Sequence, residues 1–409
     1  MKYDTCPWIN DLDTSFKVFH ELMTHKVWEI LLVLSPYDAF IMEEDSSLST
    51  RIINEFRGLN LSRPPRMTRV ARADEALELV RKKKFNLVIT LPQVGDMDSN
   101  TLGLKIKEID PELPVILLAH SQKAISPVLE LAEHRGIDNF FIWSPDPALL
   151  LSVIKNVEDH LNVEKDTSLA MVRVLILVED SPLYRSFFLP LLYKAVVEQT
   201  QSVLDESLNE EHRLLKMRAR PKILVAENFE QAMELYHKYQ PYVFAIFSDT
   251  SFPKNSKMAD KAGLELLHHI RSEIPDLPLL LMSAEPHNAA AARKIPAAFL
   301  DKNSPTLAEE IHNFFLDHLG FGDFVFYMPD GSEVGRAFNL HSFEKKLAEI
   351  PDESLNFHTE NNHFSNWVMA RSEIGLASRL HKSRIAKIND VKKLRQTLID
   401  QVHTLRCIR

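Results

Sequence analysis

The 409-residue chain is poor in cysteine, with only Cys6 and Cys407 near its opposite ends. That count and spacing exclude both a disulfide framework and a cysteine-based zinc site. Glycine is scarce at ten residues, and no Gly-Lys-Ser/Thr segment occurs, so no phosphate-cradling loop is present. No apolar run approaches the roughly 20 residues needed to cross a bilayer. The N-terminus, Met-Lys-Tyr-Asp-Thr-Cys, lacks a basic segment followed by an apolar signal core, so cytoplasmic residence is expected. Basic charge is also in deficit, and a net charge of −9 argues against non-specific DNA binding. There is no nucleophile elbow. The terminal basic run (Lys382, Arg384, Lys387, Lys392, Lys393, Arg395) lacks a recognisable helix-turn-helix. What remains, 45% hydrophobic and 26% charged, is ordinary globular protein long enough for two or three domains.

Strand-like apolar runs recur at Ile30–Val33, Met67–Val70, Asn86–Ile89, Val115–Leu118 and Phe140–Trp143, with helical patterns between them. An amphipathic helix over Leu12–Val27 leads into the first. Short apolar strands alternating with helices imply a parallel sheet covered on both faces. The order returns at 172–178, Ile223–Val225, 243–247, 279–282 and 297–300. Leu87-Val-Ile aligns with Phe244-Ala-Ile, and Pro114-Val-Ile-Leu-Leu with Pro278-Leu-Leu-Leu-Met, which marks an internal duplication. Polar Asn162–Ser168 is the natural hinge between copies. In the second copy about forty residues separate Pro182 from the next strand, predicting a long helix or helical hairpin. The Phe252–Asp260 stretch reads as a mobile loop. Beyond residue 319 a β-hairpin (Asp323–Tyr327, turn Pro329-Asp-Gly331, Val334–Phe338) precedes a mainly helical region.

In the second copy, chemical groups follow four strands: Glu179 and Asp180, then Asp249, Ser283 and Lys302. Ligands of open parallel sheets bind at strand carboxyl ends. Three carboxylates crowded there repel one another unless a hard divalent cation neutralises them, and Mg²⁺ prefers oxygen ligands. A lysine and a hydroxyl alongside suit a phosphoryl group landing on a carboxylate.

This ordered set resembles the response-regulator receiver family, the phosphorylatable half of two-component systems. The resemblance implies an α/β fold with two flavodoxin-like, doubly wound, parallel five-stranded sheets in tandem. It implies that Asp249 accepts the phosphoryl group and that Asp180, Glu179, Asp249 and the Ser251 backbone carbonyl hold Mg²⁺. Ser283 would report on the phosphate, Lys302 would pair with its oxygens, and Phe299 would be the aromatic switch. A histidine kinase or phosphotransfer protein is the implied donor, and a downstream protein or domain the target. Pro253 follows the acceptor as in the family, but the loop after it is expanded. In the first copy Leu34-Ser35 replaces the acidic pair, Leu91-Pro92 the acceptor, Ala119 the hydroxyl and Trp143 the lysine. That copy reads as a pseudoreceiver, with Asp96 and Asp98 as loop residues.

The tail carries a second resemblance. Gly320-Phe-Gly-Asp-Phe-Val-Phe, Pro351-Asp-Glu-Ser-Leu and Asn362–Glu373 resemble the connector of phosphoenolpyruvate synthase-like and pyruvate, phosphate dikinase-related proteins, as does Ser35-Pro-Tyr-Asp-Ala-Phe. Their catalytic parts have no counterpart in this sequence. The expected organisation is a helical lead-in at 1–27, a pseudoreceiver at 28–161, a linker at 162–171, a receiver at 172–318 and a connector or output region at 319–409. The expected role is regulatory rather than enzymatic, with a homodimer through the long helix compatible with the pattern. The competing reading is a phosphorylation-silent interaction scaffold. His268-His269 point apart on a helix, and His358 and His363, five apart, lack the spacing of a helical metal pair.

Overall fold

The computed structural model describes residues 18–35, 53, 56, 64–95, 97–129, 136–144, 146–202, 204, 210–385, 388 and 390–408. They fall into two compact units.

The first unit is built on a sheet of β1 (Glu29–Val33), β2 (Arg66–Val70), β3 (Leu87–Thr90), β4 (Val115–Ala119) and β5 (Asn139–Ile142), in spatial order β2-β1-β3-β4-β5. Every pairing is parallel. All residues of β3 and β4 are buried, which is why these strands read as continuous apolar runs: helices cover both faces. The strands lie within a residue or two of the expected runs. Trp143 falls just beyond β5, where its N–H donates to the Ala119 carbonyl at 2.7 Å. Asp98 caps the helix Ser99–Ile109 by accepting from the Thr101 N–H at 2.9 Å, a structural use. Asp96 lies outside the described residues, as do Pro36–Phe40, Lys387 and residues 12–17 of the expected Leu12–Val27 helix; of the rest of that helix only 18–21 are helical, and 22–27 are bends and extended chain leading into β1. The first half of the helix Pro182–Ser202 belongs with this unit. Its Ser186 hydroxyl accepts from the Ile142 N–H at 2.8 Å, and Arg185 donates to the Phe140 carbonyl at 2.9 Å.

The second unit repeats the topology. β6 (Val174–Val178), β7 (Lys222–Ala226), β8 (Val243–Asp249), β9 (Leu279–Ser283) and β10 (Ala298–Asp301) are all parallel, in order β10-β9-β8-β6-β7. Both sheets therefore have the flavodoxin-like order, with the first strand beside the third. Register pairs Ser248 with Val178, Asp249 with Met282 and Ser283 with Asp301, bringing the carboxyl ends of β6, β8, β9 and β10 into line. The C-terminal region adds the antiparallel hairpin Phe324–Tyr327/Glu333–Ala337, then helices including Leu340–Glu349, Asp352–Glu360, His363–Ala370 and Val391–Ile408. Phe324, Phe326, Phe343, Phe364 and Trp367 form its aromatic core.

Two local expectations resolve differently. The polar stretch Asn162–Ser168 is helical, the last turns of Pro147–Ala170. Its polar groups are paired in the interior: the Asn162 amide donates to the His25 carbonyl, and Asp166 forms a fully buried ion pair with Lys222 at 2.9 Å. The expected mobile loop after Asp249 is a formed hairpin, Phe252–Lys254 with Lys257–Ala259. Asn255 and Ser256 both take positive φ (52° and 60°), the left-handed pair of a two-residue hairpin turn. After Pro182 come the 21-residue helix to Ser202 and a second, Glu210–Lys216. Among the described residues no helix is long and apolar enough to cross a membrane.

Candidate functional site

The strands of the second sheet carry five of the expected groups to one place. Glu179 and Asp180 follow directly on β6, and Asp249 closes β8. One carboxylate oxygen from each of Glu179, Asp180 and Asp249 lies within 4.8 Å of the others. Lys302, immediately after β10, places its Nζ 2.9 Å from Asp249 Oδ1. Lys302 is buried, and so is Glu179. Its backbone N–H donates to the Ser283 carbonyl at 2.9 Å, tying the lysine to the end of β9.

The hydrogen bonds set the state of each group. Asp249 Oδ1 also accepts from the Thr250 N–H at 2.7 Å, so both bonds to this carboxylate use the same oxygen. Oδ2 is the oxygen these bonds leave over. The Ser283 hydroxyl accepts twice, from the Glu285 N–H at 3.1 Å and from Asn288 Nδ2 at 3.0 Å. Its own proton remains for an acceptor. Glu179 accepts from the Ser181 N–H at 3.2 Å. Ser251 lies two residues past Asp249, its hydroxyl donating to the Asp260 carbonyl at 3.0 Å across the base of the hairpin. Phe299 is half-buried on edge strand β10, against the core of this unit.

Three contributors were not visible in the sequence pattern. Thr250 orients Asp249 through its backbone. Asn288, from a short 3₁₀ turn, holds the Ser283 hydroxyl. Gly263, at the start of the helix Ala262–Glu273, lets that helix approach the acceptor: a Cβ there would lie 1.9 Å from the Asp249 carbonyl oxygen. The only sequence signal is a glycine at a loop-to-helix junction, which has many uses.

The donor set fits a hard divalent cation. Three carboxylates face a single lysine in this cluster, and Mg²⁺ is bound through one or two carboxylates together with water and phosphate oxygens. The corresponding strand ends of the first sheet carry none of these groups among the described residues. Leu34 and Leu91 are buried apolar residues and Ala119 ends β4.

No family model matches the chain, and no curated protein does. Solved structures that it matches include response-regulator receiver domains and proteins containing them. One is a CheY-like receiver domain protein from Methanospirillum hungatei JF-1, 22% identical, covering 34% of this chain and 99% of that one, at a TM-score of 0.26. Another is a two-component response regulator/GGDEF domain protein, 15% identical, covering 70% of this chain and 98% of that one, TM-score 0.30. A third is the receiver domain of a sensor histidine kinase from Pseudomonas aeruginosa PAO1, with magnesium coordinated in its active-site cleft. It is 18% identical and covers 32% of this chain and 98% of that one, TM-score 0.25. The fold itself rests on the strand order and register given above, independently of these overlaps.

Proposed function

We propose that the second unit is a phosphoacceptor in two-component signalling, with Asp249 as the residue modified. The observation that carries this reading is the Lys302 ammonium 2.9 Å from Asp249 Oδ1, beside a three-carboxylate cluster. In-line phosphoryl transfer asks mainly for positioning and charge neutralisation. Asp249 Oδ2 attacks phosphorus, the donor's bond to phosphorus breaks, and the donor leaves with that electron pair. Lys302 and the Thr250 N–H hold the other carboxylate oxygen in place. Glu179, Asp180, Asp249 and the Ser251 carbonyl would hold Mg²⁺, which supplies positive charge for the phosphoryl oxygens. The uncommitted Ser283 proton is a ready hydrogen-bond donor to the new phosphate, and its movement would change the packing open to Phe299. Charge-assisted bonds of this kind are about twice as strong as neutral ones.

The donor is then a phosphohistidine of a histidine kinase or phosphotransfer protein. The first unit acts as a pseudoreceiver, and the C-terminal region passes the change to a partner or to a phosphoenolpyruvate synthase-like enzyme. The domain limits 28–161, 172–318 and 319–409 belong to the same proposal. The test is Mg²⁺-dependent binding of beryllofluoride, followed by titration. Binding by the intact chain that disappears in Asp249→Asn supports the phosphoacceptor. No binding by the intact chain leaves the silent scaffold as the function.

A further inference from the structure

The amino ends of the second sheet open onto a cavity that the phosphoacceptor chemistry does not use. It measures about 1060 Å³ and lies wholly within the second unit, between the starts of its strands and the C-terminal region. Arg173, the residue before β6, lines it while remaining only 6% exposed. Its guanidinium donates to the Pro241 carbonyl at 3.4 Å and to Asn366 Oδ1, and its Nε finds no acceptor. Among the described residues no carboxylate reaches it. Burial without a counter-charge pulls the guanidinium down to about 10. A buried guanidinium without a counter-charge is costly and calls for an anion.

The neighbouring groups are donors as well. Asn366 accepts from Arg173 through its oxygen, which leaves its amide N–H₂ to donate. His358 Nε2 accepts from the Tyr327 N–H at 2.8 Å, so its proton sits on Nδ1 and is given to His363 Nδ1 at 2.9 Å. His363 therefore carries its own proton on Nε2. Arg271 is held by the carbonyls of Ile295, Pro275 and Pro296, again with no carboxylate in ion-pair contact.

We propose that this cavity binds a small metabolite through an oxyanion head, carboxylate or phosphate, seated on the Arg173 guanidinium and reached by the donors of Asn366 and His363. Asp276, Asp317 and Asp323 also line the cavity. They disfavour a polyanion and suit a ligand with one anionic end and hydroxyls at the other. The site lies at the opposite ends of the strands from Asp249, so it is independent of phosphoacceptance.

The test is calorimetric titration of the full chain carrying Asp249→Asn, in chelator, with inorganic phosphate and with glycolate, against chloride at matched ionic strength. Saturable binding of either anion, weakened about tenfold to a hundredfold in Arg173→Met, is expected for loss of a charged hydrogen-bond donor. Phosphate alone points to a phosphate ester, glycolate alone to an organic acid, and both to the shared head group. Asn366→Leu gives a second reading should Arg173→Met fail to fold, with weakening in the same direction. Binding no better than chloride, or equal in wild type and variants, overturns the site.

Discussion

Two buried groups away from the acceptor show how single residues in this chain depend on their partners. His358 is buried among Phe324, Phe326 and Phe364, and burial, reinforced by His363, holds it down to about 3 from an ordinary 6.5. His363 is lowered in the same sense. Between these values the unfolded chain takes up a proton that the folded chain refuses, so the unfolded state binds more protons. The stabilisation is therefore complete above about pH 6.5 and declines as pH falls toward 3. Thermal melts of His358→Gln should show a shallower loss of stability on acidification than wild type. Equal slopes would mean that the pair does not titrate in this window. The Asp166–Lys222 pair, at 0% exposure on both sides, makes a complementary case. Lys222→Met should cost about 3–5 kcal/mol by leaving the carboxylate without its ammonium. Lys222→Met with Asp166→Leu should recover most of that in denaturant titrations, because replacing both charges removes the desolvation penalty too.

At the scale of elements, most of the ten sheet strands were legible because they are short apolar runs ended by polar residues, and periodicity needs nothing more; β2, Arg66–Val70, is the polar exception, on the sheet edge. The acceptor groups were legible for a related reason: strand ends are one-dimensional landmarks, and Glu179, Asp180, Asp249, Ser283 and Lys302 sit on them. Features that depend on two elements meeting were not. His358 and His363 touch because Asn362, with φ of 62°, turns the chain between two helices and folds one imidazole onto the other. A spacing of five does not reveal that. Asn162–Ser168 looks like a linker because its polar partners, His25 and Lys222, are distant in sequence. Gly263 belongs with these hidden contacts, and it yields a prediction. In Gly263→Ala the helix Ala262–Glu273 must shift away from the Asp249 carbonyl, since backbone cannot yield as a flexible side chain does. Overpacking of this kind costs about 1–3 kcal/mol. Beryllofluoride affinity should fall together with the melting temperature. Unchanged affinity would show that the helix does not position the acceptor.

For the whole molecule, duplication produced two sheets of the same order, and among the described residues only the second carries a charged cluster at its carboxyl ends. Phosphoacceptance requires the acceptor, its acidic neighbours, the hydroxyl and the lysine together, because each compensates charge that the others create. The strand ends of the first sheet lack all of them at once: Leu34-Ser35, Leu91, Ala119 and Trp143 occupy the four positions. Restoring one group should therefore restore nothing. After acetyl phosphate treatment with Mg²⁺, mass spectrometry should find a single acid-stable, base-labile phosphate on intact protein, and none in Asp249→Asn. Adding Leu91→Asp to that variant should still give none, since a lone carboxylate at the end of β3 has neither a lysine nor acidic partners to assemble a cation site. A label appearing at position 91 would show that the fold alone suffices for the chemistry. It would also mean that the charged cluster at the second sheet's strand ends tunes the rate rather than making transfer possible.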